Sequence, residues 1–177
     1  MDDQLIEAID FALKEPKAAL GGGERNSEIK IAYLVLWALG WHPSRNVLLG
    51  FQISGIPDAK ASHAADFVIR DNDDRLCAVG EAKQWYIGDK DWEEAIDQLS
   101  RYRKALPVSL AFLTSGRRWY VTDGEGRELD SFQDIKDGRT LVGRLRKHLG
   151  KENVRGNLCR PNIWHDGLSW ARIPKAG

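Results

Sequence analysis

The sequence predicts an α/β domain: a central mixed β-sheet flanked by helices. Three observations carry this. Val47, Leu49, Phe51 and Ile53 alternate with Leu48, Gly50 and Gln52, the period-two pattern of a strand. Two short apolar runs, 65–70 and 76–83, are separated by the polar loop Asp71-Asn72-Asp73-Asp74-Arg75, which folds the first back on the second as a hairpin. A helical-period segment then leads to the near-continuous apolar run 108–114, the signature of a buried central strand reached by a crossover.

Taken in order, Leu5, Ile6, Ile9 and Leu13 fall at helical spacing and predict a helix over 3–20, stopped or kinked at Pro16. Gly21-Gly22-Gly23 breaks the chain but is not followed by Gly-Lys-Ser/Thr at phosphate-loop spacing, which excludes an ATPase motor signature here. Asn26 or Ser27 caps a second helix over 28–39, which Gly40 ends. The first strand is followed by a loop holding Pro57-Asp58 and His63, then by the hairpin strands. Gly88-Asp89 opens a third helix, with Trp92, Ala95, Ile96 and Leu99 apolar and Pro107 as its stop. After the central strand, Ser115-Gly116-Arg117 turns into a strand over 118–122 that Asp123-Gly124 ends. Leu141, Leu145 and Leu149 mark a last helix before Gly150. The expected division is one domain over 1–150, with residues 151–177 an irregular tail packed on it.

At 177 residues, 42% hydrophobic and 29% charged, the chain is large enough for one cored domain. It has no apolar run long enough for a signal peptide or membrane span, so a cytoplasmic protein without membrane partners is expected. Cys77 and Cys159 read as two free thiols in a reducing compartment. Net charge is zero but unevenly spread: residues 1–100 hold 10 Lys+Arg against 18 Asp+Glu, a balance of −8, and residues 101–177 hold 16 against 8, a balance of +8. An acidic half and a basic half suit a metal-dependent enzyme acting on a polyanion.

The chemistry concentrates between residues 66 and 102. In a strand Glu81 and Lys83 emerge on one side, about 7 Å apart along the chain. The hairpin brings Asp66 close to Glu81. Two carboxylates on one sheet face with an ammonium beside them form a plausible divalent-cation site with a charge stabiliser or water-orienting group at its edge. Gln98 and Tyr102, one helical turn apart, share a face.

This pattern resembles the PD-(D/E)xK nuclease superfamily, and within it the N-terminal nuclease domain of type I restriction-enzyme R subunits. The resemblance covers roughly residues 26–123: Asn26-Ser27-Glu28 opening a helix that ends Leu39-Gly40-Trp41, then Ala65-Asp66-Phe67-Val68-Ile69, Gly80-Glu81-Ala82-Lys83, Gln98-x-x-x-Tyr102 and Leu113-Thr114-Ser115-Gly116-Arg117. It implies a restriction-endonuclease-like core and hydrolysis of DNA phosphodiester bonds as an endonuclease in restriction, defence or DNA processing. It implies Mg2+, with Mn2+ a substitute, held by Glu28, Asp66, Glu81 and the Ala82 carbonyl. Lys83 would be the catalytic lysine beside Asp66 and Glu81. Gln98 and Tyr102 would contact DNA or position the lysine, with Arg101 and Arg117 as phosphate contacts. Type I R subunits continue into a helicase-like motor, so the expectation is a free-standing nuclease module, or one working with separately encoded subunits. A homodimer would suit a double-strand cut.

Two features compete with these assignments. Pro57-Asp58 matches the superfamily name literally but lies in a loop, so Asp66 is preferred. His63 reads as a solvated loop residue, and Trp85, Trp92 and Trp119 read as core or interface. The alternative function is a catalytically silent nucleic-acid-binding or partner subunit with the same fold. The intact Asp66, Glu81 and Lys83 set argues against it, since clustered charges are costly to keep without use.

Overall fold

A computed structural model of the chain describes residues 2–14, 24–54, 56, 63–85 and 87–157, the side chains of 24–28, 63 and 155–157 excepted. In chain order the elements are α1 (Asp3–Lys14), α2 (Glu24–Ala38), α3 (Pro43–Asn46), β1 (Val47–Ile53), β2 (His63–Arg70), β3 (Leu76–Ala82), α4 (Asp89–Ala105), β4 (Leu110–Thr114), β5 (Trp119–Asp123), β6 (Glu128–Phe132), α5 (Gly138–Leu149) and α6 (Lys151–Asn157).

The six strands form one sheet in sequence order, β1-β2-β3-β4-β5-β6. Neighbours are antiparallel except β3 and β4, which run parallel because α4 carries the chain across between them. The mixed sheet predicted from the sequence is therefore present, with the predicted connections.

Strand alternation divides the core into two layers. Phe67, Ile69, Ala78, Phe112, Trp119 and Val121 face α1, α2, α5 and α6. Val68, Val79, Ala111 and Leu113 face α4, whose Trp92, Ala95, Leu99 and Tyr102 cover them. Gly80 has a packing reason: the Phe112 ring lies over it, and a Cβ there would come within 2.1 Å of the ring.

The hairpin loop is built by Asp71, whose Oδ1 accepts from the backbone N–H groups of Asp73 and Arg75 while Oδ2 accepts from the Arg75 guanidinium. These bonds hold the Asp71 carboxyl below the ordinary aspartate range against the opposing effect of its burial. They fix the return of β3 onto β2 with Phe67 opposite Gly80.

The structure departs from the sequence reading in four places, and one further expectation is covered only in part. Helix α2 begins at Glu24, so Asn26 and Ser27 lie inside its first turn instead of capping it. Within the expected helix over 3–20, Asp3–Lys14 is helical and the remainder, with the Pro16 stop, lies outside the described residues. The polar edge strand β6 was not anticipated, because Phe132 is its only buried position and Glu-Leu-Asp-Ser-Phe shows no apolar alternation. The expected irregular tail begins with α6, whose Lys151 amide bonds the Leu39 carbonyl and whose Val154 is buried in the core. Cys77 is buried in β3 and disulfide-bonded, which corrects the expectation of two free thiols. Pairing depends on Cβ proximity in space, which spacing along the chain does not reveal. Among the described residues, no helix is long and apolar enough to cross a membrane.

Candidate functional site

Asp66 and Glu81 are the next residues along β2 and β3 beyond the Phe67–Gly80 pair. Both belong to the α4 side of the sheet, since they alternate with Phe67 and Gly80. They are bonded through the backbone: Asp66 Oδ2 accepts from the Ala82 N–H at 2.8 Å, and Glu81 Oε2 accepts from the Asp66 N–H at 3.4 Å.

Lys83 follows the last residue of β3, and its backbone N–H still donates to the Thr114 carbonyl at 2.8 Å, so the ladder with β4 holds it in place. Its Nζ donates to Glu81 Oε1 and to Gln98 Oε1, both at 2.8 Å. Gln98 Nε2 donates to Glu81 Oε1 at 3.1 Å and to the Tyr102 hydroxyl at 2.6 Å, and that hydroxyl donates to the Ala64 carbonyl at 3.3 Å. Helix α4 thus braces the acid–lysine pair through one carboxamide, and through Tyr102 it grips the strand two residues before Asp66.

Glu81 is 4% exposed. Burial pushes its carboxyl above the ordinary glutamate range, the Asp66 charge pushes it further, and Lys83 opposes both. Burial likewise raises the Tyr102 hydroxyl, with Gln98 opposing and the negative charges of Glu81 and Asp66 adding to the rise. The site is therefore a place where negative charge is under-compensated. That fits a divalent cation, a hard ion that takes carboxylate oxygens and uses as few as one or two of them when a phosphate completes its shell.

Of the sequence-predicted set, Asp66, Glu81, Lys83, Gln98 and Tyr102 are brought together. Ala82 lies between Glu81 and Lys83 with its N–H on Asp66. Glu28 lies on α2, one turn after its start, and its side chain is outside the described residues. No group of three or more His, Cys, Asp or Glu side chains is gathered among the described residues, so the described acidic donors here are two. Pro57 and Asp58 lie outside the described residues, and His63 opens β2 with its side chain undescribed.

Beside the cluster runs an open groove of about 460 Å³, lined by Lys83, Gln84, Ile87, Asp91, Glu94, Ala95, Gln98 and Arg101. Arg101 is exposed at its edge. Arg117 is engaged elsewhere. Its guanidinium donates to the Leu13 carbonyl through two nitrogens and lies 5.0 Å from the centre of the Trp85 ring. Among the described residues, much of the basic second half is engaged away from the site. Arg139, Arg144 and Arg146 belong to α5 in the opposite layer, where they pair with Asp3, Asp130 and Glu152. Trp85 packs against the core as the sequence suggested, and of the Leu113–Arg117 motif Thr114 bonds the Lys83 backbone, a role the sequence reading did not assign.

This arrangement on a mixed six-stranded sheet defines the fold as a restriction-endonuclease-like core. Among solved structures, the chain is similar to DrdV in a cryo-EM complex with DNA, at a TM-score of 0.59 and 19% identity over 84% of this chain and 14% of that one. It is also similar to a fragment described as an HsdR subunit of a type I restriction enzyme from Vibrio vulnificus YJ016, at a TM-score of 0.49 and 18% identity over 70% of this chain and 25% of that one. The chain thus spans a quarter or less of the length of either. No family model and no curated protein matches the sequence.

Proposed function

We propose that this chain is a Mg2+-dependent endodeoxyribonuclease that hydrolyses DNA phosphodiester bonds, of the restriction, defence or DNA-processing kind. The observation that carries the reading is the buried Glu81 carboxylate, shared between Lys83 and Gln98 and facing Asp66. Asp66 and Glu81, with Glu28 and the Ala82 carbonyl, are the groups that would hold the cation, Mg2+ or Mn2+. When bound, such an ion supplies an activated water and neutralises phosphate charge.

The chain's own residues account for the rest. Lys83 presents a fixed ammonium whose direction is set by two acceptors, Glu81 and Gln98. A fixed positive charge at this point stabilises the additional negative charge that phosphorus oxygens gain in the transition state, without reorganisation at the moment of reaction. The Gln98 carboxamide accepts from the lysine and donates to the glutamate, so it cannot rotate without losing both bonds. Arg101, exposed at the groove edge, would contact backbone phosphate. The DNA in the DrdV complex supports a nucleic-acid substrate for this fold. A homodimer, or separately encoded partner subunits, would supply a second cut.

Cleavage of supercoiled plasmid tests the reading, with Mg2+, Mn2+ or EDTA, for wild type, Asp66→Ala and Lys83→Ala. Metal-dependent nicking or linearisation that both substitutions abolish is expected. If wild type fails to cut plasmid, linear, branched and single-stranded DNA, and also fails to bind Mg2+, the enzyme reading is overturned. Retained DNA binding would then favour the silent binding module.

A further inference from the structure

Glu81 and Gln98 hold the Lys83 ammonium on the α4 side, and two residues further on a second assembly forms on the other side of the sheet. Two residues after the lysine, Trp85 leaves the α4 side and packs against the α1–α2 layer. Its ring is closed in by the β4–β5 turn. Gly116, at φ +83°, approaches so closely that a Cβ there would lie 2.3 Å from the ring. The turn itself is fixed: the Gly116 N–H donates to Thr114 Oγ1 at 3.0 Å, and its carbonyl accepts from Trp119 Nε1 at 2.8 Å. The same Thr114 accepts the Lys83 backbone N–H through its carbonyl. Arg117 completes the enclosure, its cation toward the Trp85 ring and its fork on the Leu13 carbonyl at the end of α1.

We infer that Arg117 is a positioning residue for Lys83: with Gly116 it fixes Trp85, and through Trp85 it ties the end of α1 to the segment that carries the lysine. The residue types fit that task. A planar guanidinium can stack on an indole and place two N–H groups on one carbonyl, and a lysine ammonium cannot do both. Only glycine allows the turn its left-handed backbone and its contact with the ring. The inference rests on the nuclease reading for its effect on rate, and on geometry alone for its effect on the 83–87 segment.

The test compares Arg117→Lys and Arg117→Met with wild type. A phosphate contact and a positioning contact differ in three readouts. If Arg117 positions, both variants lower the single-turnover cleavage rate about 10- to 100-fold, the range expected when a reacting group is misplaced by about an ångström. DNA affinity and its salt dependence stay unchanged. Hydrogen exchange of the amides in residues 83–87 accelerates at least 10-fold while that of the β1–β2 hairpin does not.

If Arg117 contacts phosphate, Lys retains most of the function, and Met weakens DNA binding and flattens the salt dependence by about one unit. That pattern would overturn the inference, as would unchanged exchange in 83–87. Should the wild type prove inactive on every DNA, the exchange arm still decides the positioning claim. Should Arg117→Met fail to fold, Trp85→Phe replaces it: a smaller ring in the same enclosure is expected to accelerate exchange in 83–87 by an intermediate amount, and no acceleration there overturns the inference.

Discussion

Replacing Glu81 by Gln should remove activity and stabilise the metal-free protein. Glu81 is buried, faces the Asp66 charge, and has one cationic partner, Lys83, whose side chain is 24% exposed and partly served by solvent. A carboxyl raised above its unfolded value in this way works against folding once it ionises. Below the ordinary value of 4.5 both states are protonated and the penalty is absent. As pH rises the unfolded chain ionises first, and the penalty is complete above the folded value. Glutamine keeps an acceptor oxygen for Lys83, which also retains Gln98 Oε1 at 2.8 Å. The carboxamide NH2 would face the Asp66 N–H that Glu81 Oε2 now accepts, so that long 3.4 Å bond is lost; removing the buried charge outweighs it, and the net gain is expected to be at most about 1 kcal/mol at pH 7.

Urea unfolding in EDTA at pH 7 and pH 4 measures this directly, with the variant's advantage shrinking at the lower pH. Mg2+ at ten times its dissociation constant should then raise wild-type stability by about 1.4 kcal/mol and leave Glu81→Gln nearly unchanged. A variant less stable than wild type by 1 kcal/mol or more in EDTA would refute the electrostatic argument. Equal stabilisation of both proteins by Mg2+ would remove Glu81 from the ligand set.

Further outcomes follow from the packing. Gly80→Ala forces a methyl into the Phe112 ring, which is itself packed on Phe67 and Trp119, and should cost about 1–3 kcal/mol in denaturant unfolding. Trp41→Phe removes the 2.7 Å bond from the indole N–H to the Leu149 carbonyl and leaves a buried acceptor unpaired, costing about 1–3 kcal/mol by the same measurement. Asp137 caps α5 by accepting from the Thr140 N–H, so Asp137→Ala should cost about 0.5–1 kcal/mol at pH 7. That bond holds the Asp137 carboxyl below its ordinary 3.8, so the capping contribution is present above 3.8 and is lost as pH falls through the lower folded value. The stability difference between variant and wild type should therefore be full at pH 7 and shrink as the pH is lowered below 3.8.

The legible parts of this molecule are those governed by local rules. Alternation placed β1 at Val47–Ile53, the bounds the structure gives, but not its faces: Leu49 is exposed, and Val47 and Ile53 enter different core layers, with Gly50 at positive φ between them. The Asp71 loop and the period of two together implied that Asp66 would meet Glu81 and that Lys83 would share their face. Helical spacing put Gln98 and Tyr102 on one side of α4. Those residues could be gathered from sequence because each pair lies within one strand, one helix or one hairpin.

What the tertiary structure decided lies between elements. Strand β6 exists because its backbone pairs with β5, an interaction that its polar side chains do not announce. Gln98 turns toward Lys83 only because α4 crosses above the ends of β3 and β4, where carboxamide, ammonium and buried carboxylate satisfy one another. Arg117, read from sequence as a phosphate contact, finds its partner 104 residues away at Leu13. Its side chain is drawn there by the Leu13 carbonyl and by an indole face, groups that only the folded sheet brings within reach.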